Sequence, residues 1–220
     1  MNQPLYSFLH TLELPEIYDL FLATFSCLPN AKKIFNAYNF ASKFHKNQVR
    51  KGEPRPYIIH LARVALVMHK SFGINNTNML IAGLFHDIIE DTKATYFDIK
   101  SIWGDEIADL VKSQTNPKHG FQTPQMKYKV REKKFNKLIK SNRAYKQLWY
   151  FDILDNVSDF GLIPKENTDY QKIPRWMKQI RDFYLPLSKS LGIKYYSIMN
   201  KLYHDYLKLG FRPSGSKLIA

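Results

Sequence analysis

The stretch Leu80-Ile-Ala-Gly-Leu-Phe-His-Asp-Ile-Ile-Glu-Asp-Thr92 sets the strongest constraint on the fold. It is apolar along most of its length, yet His86, Asp87, Glu90 and Asp91 fall within six positions. A helix places His86 beside Glu90 and Asp87 beside Asp91, four residues apart in each case, so the polar groups share neighbouring faces. Met79, Leu80, Ile81, Ala82, Leu84, Phe85, Ile88 and Ile89 surround them with apolar surface nearly all round, which predicts a central helix enclosed by others. Carboxylates kept ionised in such a setting need a partner, and a divalent cation is the simplest one.

The rest of the chain reads as helix after helix. A hydrophobic content of 45% excludes a disordered chain, and 220 residues can bury a substantial core as one domain. The expected helices run over 16–28, 31–46, 58–71 with His60 near its start, 79–91, 95–103, 105–113, 127–140, 143–160, 174–191 and 193–209. Asn75, Asn76, Thr77 and Asn78 offer N-caps for the central helix, and Thr95 with Asp98 resembles a capping pair. Residues 47–57 and 116–125, rich in Gly and Pro, are expected to be loops. No alternating strand pattern and no internal repeat is found. The expected fold class is all-α, with an N-terminal helical extension over 1–30, a main domain over 31–209 and a basic tail over 210–220.

A single cysteine, Cys27, excludes an internal disulfide and fits a reducing compartment. No apolar stretch is long enough to span a membrane, and the start of the chain lacks a basic leader followed by an apolar core. These features predict a soluble, cytoplasmic protein. The formal net charge of +14 is regional: between Lys112 and Lys146 eleven Lys or Arg face one acid, Glu132, leaving +10 in that segment. Such a segment suits polyphosphate ligands. It supports nucleic-acid readout weakly, because lysines outnumber arginines and aromatic side chains are not interleaved at a stacking spacing.

Four separated motifs occur in one order: Ala41-Ser-Lys-Phe-His-Lys-Asn-Gln-Val-Arg-Lys-Gly52, Pro56-Tyr-Ile-Ile-His60, Ala82-Gly-Leu-Phe-His-Asp-Ile-Ile-Glu-Asp91 and Phe151-Asp-Ile-Leu-Asp-Asn156. Over about residues 31–160 this set resembles the HD-domain phosphohydrolases, and among them the hydrolase domain of RelA/SpoT-type stringent-response enzymes and the small alarmone hydrolases. The resemblance implies a single helical HD domain with a metal site at its centre. It implies that His60, His86, Asp87 and Asp152 hold one divalent ion, usually manganese, and that Glu90 and Asp91 activate the water. Arg50 and Lys51 would embrace the base and phosphates of the nucleotide, and Asn156 would line the nucleoside pocket. The implied reaction removes pyrophosphate from the 3′ position of guanosine tetra- or pentaphosphate. Alternatives are another nucleotide, a pyrophosphorylated RNA or tRNA end, or a basic nucleic-acid-binding or antitoxin-like module.

Three departures stand out: Leu61 takes the place of a frequent Pro, the loop between Arg50 and His60 is one residue longer than in the long bifunctional enzymes, and Phe151 replaces a small residue; all three leave the implied metal site intact. In the last motif Asp152, Asp155 and Asp159 compete for the fourth ligand position. An Asp155 ligand would put Asp159 where the family has a neutral amide, whereas an Asp152 ligand puts Asn156 one turn away on the same face. The second register spares an enclosed polyanion site a further carboxylate, and it is the one expected.

Overall fold

The structure is a computed structural model that describes residues 4–50, 53–116, 123–158 and 160–215. The chain divides into two compact units, Met1–Lys118 and His119–Ala220. It is all-α, apart from one short hairpin among the described residues.

In the first unit the order is α1 (Leu5–Phe8), α2 (Leu14–Phe25), α3 (Ala31–Phe44), β1 (Val49–Arg50), β2 (Glu53–Pro56), α4 (Ile58–Phe72), α5 (Thr77–Phe85), α6 (Ile88–Asp91), α7 (Tyr96–Trp103) and α8 (Asp105–Gln114). Two helices share the centre. Every residue of α4 from Ile58 to Met68 is buried, Arg63 included, and so is every residue of α5 from Met79 to Phe85. Helix α5 packs on α3, α4 and α8, while α2 covers α4. Gly83 permits the close approach of α4 and α5, since a Cβ there would lie 2.7 Å from Met68 Sδ. Gly73 closes α4 in the left-handed conformation at φ 68°, with Ile74 N–H donating to the Met68 carbonyl at 3.1 Å and Gly73 N–H to that of His69 at 2.9 Å.

The expected helix over 79–91 is two helices. It breaks at His86-Asp87, where Asp87 has φ −102° and ψ −5°, the sparsely populated bridge region that recurs in active sites. Hydrophobic periodicity runs through the break unchanged and gives no sign of it. The expected loop over 47–57 contains the antiparallel pair β1 and β2, entered through Asn47 at φ 66°. Pairing of two and four residues is too short to leave an alternating pattern.

The second unit holds α9 (Pro124–Leu138), α10 (Arg143–Val157), α11 (Ile173–Gln179), α12 (Leu185–Leu191) and α13 (Ile193–Lys208). Helix α9 begins three residues before the expected Lys127, because Pro124 serves as a first helical residue behind the Thr123 cap instead of ending a loop. Between α11 and α12 the chain makes one π turn over Ile180–Tyr184, in which Leu185 N–H reaches back to the Ile180 carbonyl. Pro186 explains it: it has no N–H for the Asp182 carbonyl and its ring would clash there, so the helix widens by one residue ahead of it. Helix α12 packs on α10 and α13.

Candidate metal centre

His60 lies in the first turn of α4, His86 caps α5 and Asp87 opens α6, so the break between α5 and α6 turns two side chains towards the third. His60 Nε2 and His86 Nε2 are 3.1 Å apart, His86 Nε2 is 3.0 Å from Asp87 Oδ2, and His60 Nε2 is 3.6 Å from the same oxygen. Both imidazoles are 1% exposed, which keeps competing water away from them. Adjacent ligands around an ion with bonds of about 2.1 Å lie about 3.0 Å apart in an octahedron and about 3.4 Å apart in a tetrahedron. The three atoms therefore already have the spacing of one coordination shell.

Neighbouring groups fix which atoms face inward. The Gly83 carbonyl accepts from His86 Nδ1 at 2.8 Å, so Nδ1 carries the proton and, in the neutral ring, Nε2 keeps its lone pair for the cluster. Burial pushes the Asp87 carboxyl up, but the imidazoles of His86 and His60 in their protonated form outweigh it, through attraction and hydrogen bonds, and hold the group well below the usual carboxylate range. Asp87 is thus an anion between two imidazoles, the mixed nitrogen and oxygen donor set that divalent first-row metals accept.

Around this cluster lies a polar layer in which Tyr57 and His45 join Asp91 and Arg50 without having had a role among the sequence-based expectations. Tyr57 donates its hydroxyl to Asp87 Oδ2 at 2.6 Å and lies 3.2 Å from Asp91 Oδ2. Burial, and then the Asp87 charge, push the phenol far above its ordinary value; the Arg50 guanidinium pulls it the other way without overcoming them. The hydroxyl is therefore a permanent donor, and Arg50 is near enough to act on it. His45, which a sequence reader would leave on the surface, is 3% exposed and stacks on Tyr57 with ring centroids 4.8 Å apart and planes 12° from parallel. Pro56-Tyr-Ile-Ile-His60 was the signal for Tyr57, but the partners of its hydroxyl lie 30 and 34 residues further on.

The two acids after the ligands part company. Glu90 is half-buried and accepts from the Asn116 backbone N–H at 2.9 Å and its side-chain amide at 3.0 Å. Asp91 is exposed and lies against Tyr57. On α10 of the second unit, Asp152 is half-buried and accepts from the Asn156 amide one turn on, at both its carbonyl and its carboxylate. Asp155 is 3% exposed on the same helix. Lys51 and Asp159 lie outside the described residues.

Residues 37–138 match the HD domain family. A guanosine-3′,5′-bis(diphosphate) 3′-pyrophosphohydrolase of Aquifex aeolicus is 35% identical over 178 residues, covering 79% of this chain and 23% of that one. The protein of the same enzyme name from Drosophila melanogaster is 27% identical over 164 residues, covering 74% and 84%. A solved structure of a metazoan ortholog of SpoT, described as hydrolysing ppGpp, superposes with TM-score 0.62 at 22% identity over 79% of this chain and 95% of that one, which places the two in one fold. The chain spans less than a quarter of the Aquifex protein. No described helix is long and apolar enough to cross a membrane.

Proposed function

We propose that this HD domain is a metal-dependent phosphohydrolase that removes pyrophosphate from the 3′ position of guanosine tetra- or pentaphosphate. The convergence of His60, His86 and Asp87 carries the chemistry, and the names of the Aquifex and Drosophila relatives support the substrate. Asp152 is assigned as the fourth ligand from the resemblance of Phe151-Asp-Ile-Leu-Asp-Asn156 to the family's last motif. Manganese is the ion favoured by imidazole and carboxylate donors in this family. When bound, the ion supplies Lewis acidity that makes the attacking water a competent nucleophile near neutral pH.

The remaining work falls to the protein's own groups. Asp91, exposed and beside the ligand shell, is placed to orient the water and take its proton. Glu90 shares this role from its tether on Asn116. Arg50 and Lys51 neutralise phosphate charge, Asn156 contacts the nucleoside, and the exposed lysines of α9 raise the local concentration of a polyanion. A cytoplasmic location follows from the substrate class, and the free, exposed Cys27 is compatible with it. The test is turnover of a panel in manganese: guanosine and adenosine 3′-pyrophosphorylated nucleotides, nucleoside triphosphates, NADPH and RNA ends. The expected result is pyrophosphate release from the guanosine substrates; activity confined to another member would reassign the substrate.

A further inference from the structure

We propose that Tyr57 and Gln48 are positioning residues that lock Asp91 to the ligand shell, Tyr57 through its hydroxyl and Gln48 through the Asp91 backbone. The proposal rests on the metal-site reading above and adds residues to it. Gln48 Nε2 donates to the Asp91 carbonyl at 2.8 Å, which fixes the orientation of its amide. Its Oε1 then faces His45 Nδ1 at 2.8 Å and can only accept, so His45 carries its proton on Nδ1. The lone pair of a neutral His45 sits on Nε2, a buried atom without a hydrogen-bond partner, and burial lowers the pKa of the ring. An uncharged ring is what can lie flat on Tyr57 beside two carboxylates without competing for their charge. Tyr57 N–H donates to the Gln48 carbonyl at 3.0 Å, and its hydroxyl returns to Asp87 and Asp91. The path His45, Gln48, Asp91, Tyr57 closes on itself through the ring stack.

Asp91 is the most exposed of the four acids and imidazoles in its motif. An exposed carboxylate on a four-residue helix would sample several rotamers, yet its backbone is held by Gln48 and its side chain lies against a phenol that also holds a ligand. The Tyr57 hydroxyl shares its one proton between the two carboxylates, more strongly with Asp87 at 2.6 Å than with Asp91 at 3.2 Å. It therefore aims Oδ2 of Asp87 at the imidazoles and keeps Asp91 within reach of the same centre. Groups that orient a ligand in this way typically carry 10- to 100-fold of metal affinity or activity.

The two positions separate the roles. Tyr57→Phe keeps the stack on His45 and removes only the hydroxyl; Mn2+ affinity, measured calorimetrically on the full metal-free chain, is expected to fall 10- to 100-fold, with kcat falling and KM for guanosine tetraphosphate unchanged. Gln48→Met keeps the side-chain length and removes both hydrogen bonds; kcat is expected to fall about tenfold with Mn2+ affinity unchanged, since Gln48 touches Asp91 and not Asp87. Thermal melts of the metal-free variants check folding. Loss of both properties in both variants in proportion to lowered melting temperature would mean a merely structural role and overturn the proposal, as would wild-type affinity in Tyr57→Phe. If the unaltered chain binds Mn2+ but turns over no panel substrate, the substrate reading falls and the Tyr57 affinity arm still decides this one.

Discussion

The carboxylates of Asp87 and Asp152 are held in opposite ways. Asp87 sits at a helix break, beside the imidazole of adjacent His86 and against the His60 imidazole of α4 and the Tyr57 phenol from the turn ahead of it, so its position depends largely on contacts distant in sequence. Asp152 sits mid-helix on α10 and its carboxylate accepts a hydrogen bond from the Asn156 amide one turn along the same helix. A long-range clamp tolerates little error in any of its parts, while a helical clamp follows from spacing alone. The same contrast extends to charge: at Asp87 few groups act at close range, whereas α9 carries Lys129, Lys133 and Lys137 exposed to solvent, where they act through a screened field.

The largest effect expected from this contrast is at the acids beside the clamp. Glu90→Gln and Asp91→Asn should each lower kcat by about 10²-fold or more while Mn2+ binding persists, because neither is assigned as a ligand. Steady-state kinetics beside metal titration reads this, and normal turnover in Glu90→Gln would remove it from the mechanism. Next comes the helical clamp: Asp152→Asn should lose metal affinity and activity together, and Asp155→Asn should keep the metal and part of the activity. The reverse outcome would shift the register by three residues and take Asn156 out of the pocket.

Two smaller effects probe the frame and the field. Gly83→Ala forces Met68 aside in the α4 and α5 contact and should cost about 1–3 kcal/mol of stability in denaturant unfolding, the usual cost of overpacking. A variant as stable as the parent would show that Met68 yields freely. Replacing Lys129, Lys133 and Lys137 together by Gln should raise KM severalfold, weaken its salt dependence and leave kcat nearly unchanged. An unchanged KM at low salt would make that face of α9 a solvated surface only.

What the sequence revealed followed the same division. Caps were legible because they depend on neighbours: Asn76 accepts from Met79 N–H, Thr95 and Asp98 cap one another, and Gly104 and Gly192 break helices where expected. The motifs pointed to His60, His86 and Asp87, which the structure brings together, because the family's order survives along the chain. The break at His86-Asp87 was hidden, since apolar residues continue through it at helical spacing. The tether of Glu90 to Asn116 and the contacts of Gln48 and Tyr57 with Asp91 were hidden as well, because they join residues 26 to 43 apart that no local pattern links.

The most direct test of the account is the stoichiometry of Mn2+ read from the electron paramagnetic resonance signal of the free ion. The unaltered chain should remove about one ion per molecule from solution, the number one ligand cluster can hold, and Asp87→Asn should remove almost none. No loss of free-ion signal with the unaltered chain, or equal loss with Asp87→Asn, would contradict a metal centre built on His60, His86 and Asp87.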